Sequence, residues 1–424
     1  MVKIAPTLAV VLPLAAAWPA VMNQVGSTET LLKRAKRDGR LNTGAGHPDP
    51  PFDAASQYVD TTDNGPRPFK APGSTDLRGQ CPGLNAAANH GFLPRNGLVT
   101  IQDTIDGLGA AYNMSPELAA GLAAIAILLS GDIPSTTWSI GGEFPSTLPL
   151  ILSEPQGIVG THNKYEGDSS IVRGDAYLNN GNIGVFQAHS WNNIRTLIAQ
   201  TGDFNFGQSI QQSNFVTQYS IQNNPHYFSG PFSGLVAPAA HNFVVTFMSN
   251  HSVEHKGGIL EPNVINSFFA VTNNDDGTWT HNRGMERIPT NWYRRPGGIN
   301  QYNVADVFLD LLAGAAEYPD TLHIGGNTGT VNSFIGVEPA DLTGGVYTGA
   351  NLFEGNNLAC FAFQAAMAGG IDELKGLESI LGSLLDPVLA PLKAIYADLQ
   401  CPQLANYDDS ELQKFPGFGD PAST

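Results

Sequence analysis

Long apolar runs are nearly missing from this chain of 424 residues. The one candidate, Ile4 to Ala17, is short and interrupted by Pro6 and Pro13, which excludes a membrane-spanning helix there. With Lys3 before it and Ala15-Ala16-Ala17 at its end, the run predicts a secretory signal peptide over 1–17. Basic charge is scarce too: 21 Lys and Arg stand against 38 Asp and Glu, a formal net charge of −17. Five of those basic residues fall in 1–37, where Leu31-Leu32-Lys33-Arg34-Ala35-Lys36-Arg37 carries two dibasic pairs. That segment reads as a pro-segment over 18–37 or, alternatively, as a solvated charge cluster. Without 1–37 the charge is −21; such a surface repels nucleic acid and anionic membranes and fits a secreted, extracellular protein. No nucleotide-phosphate loop, zinc-ligand spacing or internal repeat occurs. Cysteine is sparse, and its count of three is odd. In an oxidising compartment that number leaves room for one pair and one thiol for chemistry.

Among the three, Cys81 has the most informative surroundings. It opens the stretch Cys81-Pro82-Gly83-Leu84-Asn85-Ala86-Ala87-Ala88-Asn89-His90-Gly91-Phe92-Leu93-Pro94-Arg95-Asn96-Gly97. Pro82 suits the first position of a helix, where its missing N–H is not needed. The unpaired N–H groups at a helix start carry partial positive charge, so a sulfur there is expected to lose its proton readily and to ligate a metal. The plainer alternative is an inert cysteine buried at a helix start.

This stretch resembles the proximal loop of the fungal haem-thiolate peroxidases, the family of chloroperoxidase and the aromatic peroxygenases. Gln80 stands where that family usually has a proline before the cysteine. The resemblance implies that Cys81 is the axial ligand of a haem b iron. It also implies a disulfide between Cys360 and Cys401, since the long branch of the peroxygenases carries one of similar spacing near its C-terminus. His90, inside the motif, reads as a structural hydrogen-bonding residue.

A second motif, Glu166-Gly167-Asp168-Ser169-Ser170, leads into Arg173-Gly174-Asp175. Hard cations prefer carboxylate, carbonyl and hydroxyl oxygens plus waters. Standing alone, Glu-Gly-Asp is more often a solvated turn. The resemblance implies a Mg²⁺ held by Glu166, the Gly167 carbonyl and Ser170, beside a haem propionate. Relatives of the long branch place a distal Arg and Glu seven residues apart after an Asn-Pro motif. Counting from Asn224-Pro225, Ser233 and Ala240 occupy those positions, and the run 229–240 has no ionisable side chain. His241 follows directly and is the candidate proton shuttle, a core-edge histidine being the other reading. Met114, Tyr165 and Phe243 are the candidate pocket residues, with plain core packing as the alternative. Asn113 and Asn250 begin the sequons Asn-Met-Ser and Asn-His-Ser, glycosylation acceptors if exposed.

Apolar periodicity predicts helices over 101–108, 116–129, 173–177, 191–199, 232–248 (with a kink at Pro238) and 303–317, and a hairpin over 371–399 broken near Pro387. The fold class is therefore mainly α, one large helical domain over 70–405 with long Gly/Pro-rich loops, and the resemblance implies that it encloses haem in the chloroperoxidase manner. An extended arm (38–69) precedes it and a polar tail (406–424) follows. The resemblance implies an enzyme that takes hydrogen peroxide and oxidises apolar or aromatic molecules through a Cys81-ligated ferryl haem. The missing Arg-Glu pair leaves two alternatives: a haem- or ligand-binding protein with little turnover, or a dedicated oxidase of a secondary-metabolite route. Substrate, the choice among peroxidase, peroxygenase and halogenation chemistry, and oligomeric state do not follow from the sequence.

Overall fold

The structure, a computed structural model, describes residues 50–150, 152–161, 163–372, 378–404 and 406–419. The expected signal peptide and pro-segment, and the arm up to residue 49, lie outside the described residues. Helices dominate: α1 Pro82–Asn89, α2 Ile101–Tyr112, α3 Pro116–Ser130, α4 Ala188–Thr201, α5 Phe206–Asn223, α6 Ser233–Met248, α7 Pro262–Phe268, α8 Val304–Glu317, α9 Asn357–Asp372 and α10 Glu378–Leu399. The strands are two or three residues long and pair only antiparallel, as in Leu98–Thr100 with Thr137–Ser139 and Tyr58–Val59 with Trp292–Tyr293. The mainly helical class expected from the sequence is what the chain adopts.

Helix α3 is the axis of the core. Ser115 caps it by accepting from the Leu118 N–H, and Pro116 takes its first position. Ala119, Ala123, Ala124, Ile125, Ala126 and Ile127 are wholly buried, so the helix is apolar all round, as a central helix must be. Helices α2, α9 and α10 pack on it, while α6 is held between α5 and α8 and touches α1.

The expected break near Pro387 does not occur: α10 runs through both Pro387 and Pro391, and α6 likewise continues through Pro238. Val388, Leu392 and Ile395 are buried, and the packing of α10 on α3 outweighs the backbone bonds the prolines remove. The expected helix over 173–177 is absent. Arg173 bridges Phe186, Gly174 N–H donates to the Val185 carbonyl, and only a 3₁₀ turn at Tyr177–Asn179 remains. The Asp175 carboxylate accepts from Ser169 N–H and Ser220 Oγ, a local bonding pattern that competes with helix formation. Residues 406–419, read from sequence as a polar tail, include Leu412 and Phe415, both buried against the body.

Candidate active site

Cys81 is the N-cap of α1, in extended conformation, with Pro82 at the first helical position. The body of the protein grips this start at several atoms. Asn85 Oδ1 accepts from Gly79 N–H (3.0 Å) and its Nδ2 donates to the Gly79 carbonyl (2.9 Å) and to Glu286 Oε1 (3.0 Å). Four residues on, along the same face, Asn89 Nδ2 donates to the carbonyls of Gly284 and Glu286. Arg173 Nε donates to the Gln80 carbonyl at 3.0 Å, and its guanidinium pairs with Glu286 at 3.4 Å, both side chains almost fully buried. Gly79 must be glycine, because a Cβ there would lie 2.1 Å from the Ile140 carbonyl oxygen. The repeated asparagines of the motif are therefore clamps that fix the backbone on either side of Cys81.

The thiol does not titrate as the sequence suggested. Burial pushes Cys81 up to about 11, raised further by Glu166, although the N–H groups of Leu84 and Gly83 and the charge of Arg173 pull the other way. A helix start alone does not outweigh desolvation here; a metal cation, which deprotonates a coordinating thiol outright, would supply what is missing. The donor set fits that role. Cys81 is the free cysteine, because Cys360 and Cys401 form a disulfide with 5.4 Å between Cα atoms, as expected. Backbone N–H groups and a buried guanidinium face the sulfur.

The acidic loop folds back on itself. Asn163, with φ of 65°, accepts from the Asp168 N–H at 2.7 Å, and any Cβ on Gly167 would come within 2.0 Å of that Asn163 oxygen. Ser170 Oγ donates to Glu166 Oε1 at 2.9 Å, and Gln80, whose Nε2 donates to the Ile158 carbonyl at 3.1 Å, lies near enough to this carboxylate to favour its charged form. Burial raises the Glu166 pKa. Gln80 thus links the cysteine loop to the acidic loop. Among the described residues no three His, Cys, Asp or Glu side chains gather into a metal cluster. Glu166, Ser170 and the Gly167 carbonyl offer one carboxylate and neutral oxygens, a set that Mg²⁺ accepts when waters and a further anion complete it. Asp168 and Asp175 serve the loop instead: both accept from Asn224 Nδ2, and Asp168 also accepts from the Ala176 and Phe228 N–H groups.

His241 is buried on α6, with Nε2 3.2 Å from the Ser169 carbonyl oxygen and Nδ1 without a partner. Burial holds it down at about 4, so the ring is neutral at ordinary pH and its Nδ1 can accept a proton. His90 is structural, bonding the Arg67 carbonyl through Nδ1 at 2.7 Å.

The three pocket candidates form one chain of contacts through two residues that sequence reasoning missed. Tyr165 packs edge-on against Phe232, and Phe232 and Phe243 both line a void of about 30 Å³ with Phe363 of α9. Phe243 packs on Tyr302, which pairs with Met114 through a backbone bridge. Tyr302 in turn donates to Asp310 Oδ2 at 2.6 Å and lies under the Arg295 guanidinium. Spacing gave no signal for Tyr302, which reaches Phe243 only through tertiary packing. The Asn113 sequon does not serve as expected: its side chain is 8% exposed and its Nδ2 donates to the Arg295 carbonyl at 2.6 Å, which leaves no room for a glycan. Asn250 is half-buried and accepts from the Tyr293 N–H.

The family model for "Peroxidase, family 2" matches residues 67–297. The chain is 34% identical over 418 residues to the dothistromin biosynthesis peroxidase dotB of Dothistroma septosporum, covering 96% of this chain and 95% of that protein. It is 35% identical over 384 residues to the aromatic peroxidase fscJ of Fusarium equiseti, covering 86% of each. An aromatic peroxygenase of Cyclocybe aegerita is 28% identical over 280 residues, 61% of this chain and 71% of its own.

Proposed function

The chain belongs to peroxidase family 2, the haem-thiolate peroxidases of fungi, and on that premise we propose that Cys81 binds the haem iron and that the protein oxidises aromatic or apolar molecules with hydrogen peroxide. It is an oxidoreductase acting with peroxide. The observation that carries the Cys81 reading is a single unpaired thiol at the start of α1, held by two asparagine clamps while the other cysteines are bonded to each other.

Haem b, when bound, supplies the iron on which peroxide is cleaved, and a thiolate ligand favours that cleavage by donating electron density. The remaining work falls to the protein. Arg173 and Asn85 hold the backbone on either side of the sulfur, so the ligand keeps one position. Tyr165, Phe232, Phe243 and Tyr302 exclude water from the organic side. His241, with Nε2 anchored on the Ser169 carbonyl, takes a proton at Nδ1 and returns it, the general acid-base role that peroxide cleavage needs. Glu166, the Gly167 carbonyl and Ser170 would hold a Mg²⁺ and supply its oxygen ligands. Secretion follows from the N-terminal sequence; among the described residues no helix is long and apolar enough to cross a membrane.

A second reading, a dedicated biosynthetic oxidase, draws on the end-to-end match to a protein named for a biosynthetic role. The two readings share the same chemistry and differ in substrate range. The haem-loaded protein is expected to oxidise a simple phenol with peroxide, and Cys81→Ala to lose at least a hundredfold in that rate. Equal turnover by the variant would remove Cys81 from the reaction.

A further inference from the structure

We propose that Tyr112, Trp292, Tyr293 and Tyr58 form an electron relay from the Cys81 site to the surface, where Tyr58 is a second oxidation site for one-electron donors too large to enter the fold. The proposal rests on the peroxidase reading above and goes beyond it, because such a donor never touches the buried site.

The relay starts beside the sulfur. Tyr112 Oη donates to the carbonyl of Gly83, two residues after Cys81, at 2.7 Å, and both residues are buried. The Tyr112 ring meets the Trp292 ring edge-on, with 6.2 Å between centroids. Trp292 is buried and its Nε1 donates to the Met248 carbonyl at 3.0 Å, which fixes the indole in place. Tyr293 follows in the chain, one peptide unit away. Strand pairing sets Tyr293 opposite Tyr58, and their rings lie 5.3 Å apart. Tyr58 is 39% exposed. Buried, half-buried and exposed rings thus follow one another from the sulfur to water.

The kinds of ring single out this route. Tyrosine and tryptophan give up an electron at potentials that phenylalanine does not reach. Among the ring contacts of Tyr112 to Phe247, Phe268 and Trp292, only Trp292 is oxidisable. A second tyrosine faces the sulfur: burial, and after it the charge of Cys81, raise the phenols of Tyr112 and Tyr165 alike. Tyr165 packs on Phe232, however, with Phe243 beyond it. On the Arg173 side, Phe186 stands between the guanidinium and Trp279. Phenylalanine interrupts both of those routes.

The electrons and protons balance. Hydrogen peroxide takes up two electrons and two protons and becomes two waters, and the relay brings the electrons one at a time. Trp292 gives an electron to oxidised Tyr112 and regains one from Tyr293, which regains one from Tyr58. The Tyr58 phenol loses its proton to water as it loses its electron. The phenoxyl then takes an electron from the donor and a proton from water. The chain's formal net charge of −17 draws positively charged donors to it, so a small basic redox protein is the donor class.

The test uses the haem-loaded full chain with one equivalent of peroxide and no organic substrate. A nitroso spin trap followed by peptide mass spectrometry marks where the radical emerges. Wild type is expected to carry the adduct on Tyr58 and to spare Tyr177, which is 38% exposed but stacks on His226, off the relay. Trp292→Phe is expected to lose at least tenfold of the Tyr58 adduct. Tyr293→Phe, which removes one hydroxyl from a half-buried ring, is the milder interruption and is expected to lose severalfold. With reduced cytochrome c as donor, Tyr58→Phe is expected to oxidise it at least fivefold more slowly, with turnover of a simple phenol unchanged. Three results overturn the proposal: an equal Tyr58 adduct in whichever interrupted variant folds, equal labelling of Tyr177 and Tyr58 in wild type, or unchanged cytochrome oxidation by Tyr58→Phe. The ferrous–CO spectrum of the same preparation separates the two readings. A red-shifted Soret band without a Tyr58 adduct rejects the relay and leaves Cys81 as the haem ligand. An unshifted band rejects that ligand, and the starting point of the relay with it.

Discussion

His241 illustrates how far a single side chain can be read. Its place after a run without ionisable groups made it the candidate proton carrier, and that much needed only the sequence. Its direction needed the fold: Nε2 faces the Ser169 carbonyl, which leaves Nδ1 without a partner. If Nδ1 carries the proton, His241→Ala loses at least tenfold in peroxide turnover, with the haem spectrum unchanged. His241→Gln would restore the bond to Ser169 without restoring a base. Rescue by Gln in steady-state assays would reduce His241 to a positioning role. At Cys81 the sequence misled in one respect. Identity and helix position were legible, but the thiol is pushed up to about 11 by burial and by the charge of Glu166, a residue from a distant segment.

At the scale of elements, α1 is held by its two asparagines as well as by its fully buried alanines Ala86, Ala87 and Ala88. Asn85 makes three bonds that no water can replace in a buried site. Asn85→Ala is expected to cost about 3 kcal/mol, in the range for stranding buried polar partners, and to blur the haem-thiolate spectrum by letting the sulfur move. Urea melts of the apoprotein measure the first, and absorption spectra of the loaded protein the second. A stable variant with an unchanged spectrum would show that Arg173 alone fixes the loop. Helix α5 shows why some elements escaped the sequence reading. Phe206–Asn223 is rich in Gln, Ser and Asn, so its apolar stripe is faint; the Asn205–Gln208 capping box was its one clear local mark. Helices α3 and α8, with clear caps, were legible almost to their ends, whereas α2 runs a full turn beyond the expected 101–108.

For the whole molecule, the buried histidines contribute a loss of stability in acid, against the buried carboxylates Glu166, Asp168, Asp175 and Glu286, whose raised pKa values act the other way. His323 bonds Tyr227 at 2.9 Å, and His251 bonds the Lys256 carbonyl; burial holds both down at about 3. An unfolded histidine titrates near 6.5, so below that pH the unfolded chain binds more protons than the native one. The stability these residues contribute is complete above about 6.5 and is lost as pH falls toward 3. Melting temperatures between pH 7 and 4 are expected to fall, and His323→Gln, though less stable at pH 7, to fall less steeply. Parallel curves would assign acid sensitivity elsewhere. At this scale the sequence conveyed the class and the disulfide. It did not convey the packing of residues 406–419, because Leu412 and Phe415 are spaced singly among polar residues, and only the partner Phe228, some 190 residues earlier in the chain, shows that they are core.

The central claim is that the Cys81 sulfur binds haem iron as a thiolate. The ferrous–CO absorption spectrum of the haem-loaded wild-type protein tests it most directly. The account predicts the strongly red-shifted Soret band of a thiolate ligand, absent in Cys81→Ala; an unshifted band in the wild type, or a shifted one that survives loss of the sulfur, would contradict it.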